Sequence, residues 1–197
     1  MPKTIAVLLF NNVEELDAIG PFEVLAGWTT MFPDDGWRTT TVGLNGAEPI
    51  RCAHGLVVTP ETSFDAAGRI DLLVYPGGRG ARDLVDDEAH LDWLRKQAGE
   101  IELMTSVCTG ALVLGAAGLL HGRRATTHWG ALERLAAIDS TIDIRSQDRY
   151  VDDGDIVTAA GISAGIDMAL HLVDRLAGEE HARRVRKMLQ YDPAPPV

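Results

Sequence analysis

Residues 105–118 read TSVCTGALVLGAAG, and the path a chain can take through them decides the fold. IELMTSV (101–107) is an apolar run of strand length, of the kind buried in a sheet. TGALVLGAAGLL (109–120) carries the small and apolar residues of a helix packed tightly on that sheet. A strand that passes at once into a helix, with small residues on both sides of the turn, puts Cys108 at a nucleophile elbow. A cysteine in apolar surroundings is ordinarily a core thiol. The helix start directly after Cys108 and the glycine pair at a neighbouring strand end favour a nucleophile instead.

The same alternation extends outward in both directions. TIAVLLF (4–10) is a continuous apolar strand stopped by Asn11 and Asn12, and a helix is predicted over 16–27. WRTTTVGL (37–44) and GLVVTP (55–60) predict strands, and IDLLVYPGG (70–78) a strand ending in a glycine turn. DDEAHLDWLRKQAGE (86–100) predicts a helix with an Asp cap and with Leu91, Leu94 and Ala98 on one face. GRRATTH (122–128) follows as a short strand and WGALERLAAI (129–138) as a helix, while Asp153-Gly154 marks a hairpin. The last helices are predicted over 163–176, with Ile166, Ala169, Leu170, Val173 and Leu176 on one stripe, and over 179–189. Strands alternating with helices predict an α/β protein: a flavodoxin-like three-layer α/β/α sandwich with a mostly parallel central sheet.

With 197 residues, 46% hydrophobic and 24% charged, the chain has the size of one domain, taken as residues 1–197. Its net charge of −11 argues against nucleic acid or an anionic membrane surface as partner. No apolar run approaches the ~20 residues of a membrane-spanning helix, and no basic stretch leads into an apolar core at the start. A cytoplasmic location is therefore expected, with Cys52 and Cys108 unpaired and Cys52 a packing residue. The proline-rich end DPAPPV (192–197) is expected as an extended tail. His54, His90, His121, His171 and His181 show no ligand spacing, so no metal is expected.

In an open parallel sheet, ligands sit beyond the carboxyl ends of the strands. Three such ends carry unusual residues: NNVEELDAIGP (11–21), YPGGRG (75–80) and SVCTG (106–110). Amides at the helix start after Cys108 should favour thiolate and lower its pKa. The Thr109 amide, with that of Gly77 or Gly78, is expected to form an anion-stabilising pocket. Asp17 has two readings, a helix N-cap or a carboxyl leaning over the sulfur. In the second its pKa rises and it keeps a proton, which makes an acid beside a nucleophile.

LDAIGPFEVL (16–25), YPGGRG, TSVCTGALVLGAAGLLHGRRATTHW (105–129) and GISAGIDMALHLV (161–173) together resemble the ThiJ/PfpI superfamily of class I glutamine amidotransferase-like proteins. Within it the likeness is to the isonitrile hydratase branch, and it covers nearly the whole chain. The resemblance implies a flavodoxin-like fold, a homodimer, no metal or other cofactor, and hydration of an isonitrile to an N-formamide. Position by position, it implies Cys108 as nucleophile, Asp17 as acid/base and Thr109 as a hydroxyl placing substrate or water. Gly77, Gly78, Ile19, His128 and Trp129 would surround the substrate. His128 is equally readable as a structural histidine, and Trp129 as core.

Thr109 stands where peptidase-like relatives have His, and neither His171 nor His181 supplies the late His of an amidotransferase triad. The chain departs from the hydratase pattern at Arg79, where a small or hydroxyl residue is usual, and at Ala18-Ile19, which replaces Leu-Thr. A guanidinium at Arg79 either points outward from its loop or favours an anionic substrate. Two rival functions share the block around Cys108: a glyoxalase-type activity on small α-oxoaldehydes, and a ligand- or redox-sensing domain like that of AraC-type regulators.

Overall fold

The computed structural model describes residues 2–192. In chain order the elements are β1 (Lys3–Leu9), α1 (Glu15–Met31), β2 (Trp37–Gly43), β3 (Ile50–Arg51), β4 (Val57–Val58), β5 (Thr62–Ser63) and β6 (Leu72–Tyr75). There follow α2 (Arg79–Leu84), α3 (Glu88–Ala98), β7 (Leu103–Val107), α4 (Gly110–Ala116), β8 (Arg124–Ala125), α5 (Leu132–Ile138) and β9 (Asp143–Ile144). The chain closes with β10 (Tyr150–Asp152), β11 (Ile156–Ala159), α6 (Ala164–Ala177) and α7 (Glu179–Met188).

Seven strands form one sheet in the order β10-β11-β7-β6-β1-β2-β5. Every pairing in it is parallel except β10 with β11. Helices α1, α6 and α7 pack together on one face, and α4 gathers α2, α3 and α5 on the other. The result is the mostly parallel three-layer sandwich that the alternation predicts. The central strands are buried along nearly their whole length, with all of β6, β7 and β11 inside. That is why they read as unbroken apolar runs rather than as alternating ones.

Several boundaries move for reasons of packing. Helix α1 runs past 27 to Met31 and through Pro21, because Val24, Leu25 and Trp28 carry its buried face onward. Of GLVVTP only Val57 and Val58 form strand, paired with β3 in a separate ribbon. Of GRRATTH only Arg124 and Ala125 do, paired with β9. Thr126 and Thr127 then leave the strand, the Thr126 amide donating to the Thr158 hydroxyl and the Thr127 hydroxyl to the Cys108 carbonyl. On α6 the deepest line includes Ala164, Met168 and Leu172 beside the predicted Ala169 and Val173, while Ile166, Leu170 and Leu176 are half-buried. Asp87 does cap α3, accepting the His90 amide at 3.1 Å. The hairpin turns at Asp153-Gly154, with Gly154 at φ 90. Both cysteines are buried and unpaired, and among the described residues no helix is long and apolar enough to cross a membrane. Residues 193–197 of the expected tail lie outside the described residues.

Because β2 flanks β1 on one side and β6 on the other, the direction of winding reverses at β1, and a crevice opens beyond the ends of β1 and β6. Helix α2 crosses the end of β1 so closely that a Cβ on Gly80 would lie 2.1 Å from the Asn11 carbonyl oxygen and 3.0 Å from the Phe10 ring. Alanine inside a helix ordinarily stabilises relative to glycine by about 1 kcal/mol. Here the overlap reverses the sign. Gly80→Ala is expected to lower stability by about 1–3 kcal/mol in urea unfolding, and a gain would show that α2 can move off the strand.

Candidate active site

Cys108 follows β7 directly and takes φ 57, a left-handed backbone that a non-glycine residue adopts only when its surroundings impose it. Three contacts impose it. The Cys108 N–H donates to the carbonyls of Ala159 and Ala160 at 3.1 and 3.0 Å, where β11 ends. The Cys108 carbonyl accepts the Thr127 hydroxyl at 2.7 Å. The elbow is thus locked from both sides, and the sulfur, in a residue 6% exposed, opens into a cavity of about 350 Å³.

Asp17 is not a helix cap. It lies within the first turn of α1, whose N-cap is Glu14, and it is 0% exposed. Its Oδ2 accepts the Gly77 amide at 3.1 Å, and its Oδ1 has no partner among the described residues. Burial pushes its pKa up from 3.8 to about 7, opposed by the Cys108 thiol beside it and the Gly77 amide and assisted by Glu14. The two groups are therefore coupled, and the carboxyl keeps its proton well above the ordinary carboxylate range.

The expected fall in the Cys108 pKa does not occur. Burial, and then the negative charge of Asp17, push the thiol up to about 12. The Thr109 and Ile162 amides do favour thiolate, as a helix start should, but they are outweighed. A second correction concerns the anion pocket. The Gly77 amide is taken by Asp17, and the Gly78 amide by the Thr109 hydroxyl at 2.9 Å. The amide that joins Thr109 at the sulfur is that of Ile162, which sequence reasoning missed. Ile162 has φ 48, and nothing in GISAG announces a β-branched residue in that conformation.

The other expected site residues separate. The Thr109 hydroxyl also donates to the Gly78 carbonyl at 3.2 Å, so it ties the glycine turn to the elbow. A Cβ on Gly77 would come within 2.6 Å of the Thr109 amide and 2.9 Å of Asp17 Oδ2, and Gly78 sits at φ 119. Both positions need glycine. His128 borders the cavity, and its Nδ1 accepts the Gly130 amide at 3.1 Å, so the neutral ring carries its proton on Nε2 and is a donor. Trp129 is neither pocket wall nor core: it opens a surface turn and is 79% exposed. Ile19 is half-buried on α1 and does not border the cavity. Glu14, Arg79 and Arg82 do border it.

Larger hollows lie beside Arg183 and Tyr191 (about 570 Å³) and beside Lys3 and Asp71 (about 460 Å³), but neither contains a cysteine. Among the described residues one group has metal-ligand spacing: Glu14, Glu15 and His54, with donor atoms within 4.8 Å of one another. Ordinary contacts account for it. His54 pairs with Glu14 at 3.3 Å, and Glu15 Oε1 accepts the amides of His54 and Leu56.

A buried thiol on a strained elbow, beside a buried carboxyl at the switch point of a parallel sheet, defines a class of α/β protein with a cysteine at its strand-to-helix elbow. The chain belongs to the DJ-1/PfpI family, whose model matches residues 3–175. It is 42% identical to the isonitrile hydratase of Pseudomonas putida over 196 residues, covering 100% of this chain and 82% of that protein. It is 30% identical to the HTH-type transcriptional regulator GbdR of Pseudomonas aeruginosa, matching 97% of this chain but 51% of the regulator, so it spans about half that protein's length. The crystal structure of a ThiJ/PfpI family protein from Pseudomonas syringae superposes with a TM-score of 0.85 at 30% identity, covering 100% of this chain and 78% of that one.

The raised pKa of Asp17 makes stability depend on pH. From its ordinary 3.8 up to about 7 the folded state holds a proton that the unfolded chain has lost. The contribution of Asp17 to stability therefore falls as pH rises through that window and is level outside it. Asp17→Asn cannot titrate. Its urea midpoint is expected to gain on the wild type between pH 4 and 7.5, and parallel curves across that range would refute the raised pKa.

Proposed function

We propose that the protein is a hydro-lyase that hydrates isonitriles, R–N≡C, to N-substituted formamides, with Cys108 as nucleophile and Asp17 as acid and base. The observation that carries this reading is the buried Asp17–Cys108 pair, with one carboxyl oxygen held by Gly77 and the other without a protein partner. The isonitrile carbon must gain a proton and a nucleophile at the same atom, and such a pair offers both in one place. The similarity to the Pseudomonas putida isonitrile hydratase supports the same chemistry.

The steps follow from the proton count. With one proton shared by the pair, Asp17 delivers it to the isonitrile carbon as the Cys108 sulfur bonds to that carbon, giving the thioimidate R–N=CH–S–Cys108 and an Asp17 carboxylate. The carboxylate takes a proton from water as hydroxide adds to the carbon, and passes it to nitrogen. The C–S bond then breaks, the hydroxyl proton returns to the pair, and R–NH–CHO leaves. Amides of Thr109 and Ile162 at the sulfur stabilise it as the leaving thiolate. His128, which borders the cavity, would serve as a donor to the departing formamide oxygen through its Nε2–H. Thr109 acts as a positioning residue through its ties to Gly78. A small-molecule substrate, a cytoplasmic location and a homodimer belong to the same reading.

Formamide release from a simple alkyl isonitrile tests it, with lactate formation from methylglyoxal as the contrast. Cys108→Ala is expected to abolish formamide production with the circular dichroism unchanged, and Asp17→Asn to lower it about 10²–10⁴-fold. The wild-type kcat/KM should rise through about pH 7 as the pair gives up the first of its two protons, a limb absent from Asp17→Asn. Turnover of methylglyoxal without turnover of the isonitrile would replace the hydratase reading with the glyoxalase one.

A further inference from the structure

We infer that the substrate carries a carboxylate, which Arg79 and Arg82 hold at the mouth of the cavity while its other end reaches Cys108. This rests on the isonitrile reading for the reacting end of the substrate, and makes the preferred class isocyanocarboxylates rather than neutral alkyl isonitriles.

Arg79 and Arg82 are three residues apart on α2, so they share a face of the helix, and both border the cavity that opens on Cys108. Gly80 and Ala81 between them are buried, and the Gly80 amide is bonded to the Asn12 carbonyl at 3.1 Å, which fixes the helix on the sheet. Neither guanidinium has an ion pair, hydrogen bond or ring contact among the described residues. Every other arginine has one. Arg69, Arg95, Arg123, Arg124, Arg134 and Arg145 pair with carboxylates, as do Arg149, Arg175 and Arg183. Arg38, Arg51 and Arg186 donate to carbonyls, and Arg184 lies over the Phe32 ring. In a chain with 29 acidic against 18 basic side chains, free guanidiniums are not a matter of scarce partners. The two that stay free are the two at the site.

The carboxylate on the rim, Glu14, is taken up by His54 rather than by either arginine. Its presence favours a singly charged anion over a phosphate dianion, which it would repel. A carboxylate also matches the planar fork of a guanidinium with two parallel hydrogen bonds. A cavity of about 350 Å³ suits a short substrate, with the isonitrile at one end and the carboxylate at the other.

Two measurements test the inference, and only the first needs turnover. The ratio of kcat/KM for 4-isocyanobutanoate to that for its methyl ester is expected to exceed one in the wild type. It should fall about tenfold in Arg79→Gln, in Arg82→Gln similarly, and further in the double variant; the ratio cancels any change common to both substrates. Separately, the rates at which iodoacetate and iodoacetamide alkylate Cys108, located by mass spectrometry, should favour the anion in the wild type and lose that preference in the double variant and at high salt. An acid-to-ester ratio at or below one, or ratios unchanged by both substitutions, overturns the inference. If no isonitrile reacts, the hydratase reading fails, and the alkylation ratio alone still decides whether the mouth selects a carboxylate.

Discussion

A carboxyl and a thiol buried against each other, where burial penalises the charge of each and the charge of one penalises the other, set the condition that the site satisfies. Asp17 is fully buried and Cys108 nearly so; burial raises the pKa of both, the Asp17 charge raises that of Cys108 further, and the thiol in turn draws that of Asp17 partly back down. Such an arrangement survives only if the backbone around it is crowded and fixed. Gly77 supplies an amide to one carboxyl oxygen and no side chain, because a Cβ would collide with both Asp17 and Thr109. The sheet order makes this possible by setting β1, β6 and β7 side by side, so that three loops distant in sequence end at one point. The parallel sheet is thus the device that brings residues 17, 77 and 108 together.

Strain is concentrated at the same place. Among the described residues four non-glycine residues have positive φ: Asn12, Cys108, Ile162 and Gln190. Asparagine tolerates that region, but for a β-branched residue it is an outlier. Cys108 and Ile162 meet, since the Ile162 amide is directed at the sulfur. Each conformation costs about 1–3 kcal/mol, which the surrounding hydrogen bonds must offset: the double acceptance of the Cys108 amide by Ala159 and Ala160, and the Thr127 hydroxyl on the Cys108 carbonyl. A sulfur held this way has its position fixed in advance of any reaction.

Which parts of this were legible in the chain follows from how local each cause is. The buried runs of β1, β6 and β7 are local, and so is the strand-turn-helix pattern at Cys108, so the fold and the elbow could be read directly. The direction of the Asp17 shift was legible but its cause was not, because burial raises that pKa while the thiol beside it lowers it. The Cys108 pKa was not, because the helix-start amides that lower it are visible in sequence while the burial that overrides them is a property of the packed site. Ile162 was hidden for a related reason: its role lies in a backbone amide and an unfavourable φ, neither of which depends on its side chain. Trp129 misled in the opposite way, since an aromatic beside His128 suggests a wall, yet the chain turns outward there.

The charge at the mouth and the charge at the sulfur act independently. The groups that shift Asp17 are its own burial, Cys108, Gly77 and Glu14, and those that shift Cys108 are its burial, Asp17, Thr109 and Ile162; neither arginine is among them. Arg79 and Arg82 are exposed to solvent, where water and salt weaken their reach within ~8 Å at physiological ionic strength. The same screening limits the overall charge of −11, which would otherwise turn an anion away. An anionic group is therefore recognised on contact rather than steered from a distance. One end of the cavity can therefore change which substrate it accepts without altering how protons move at the other.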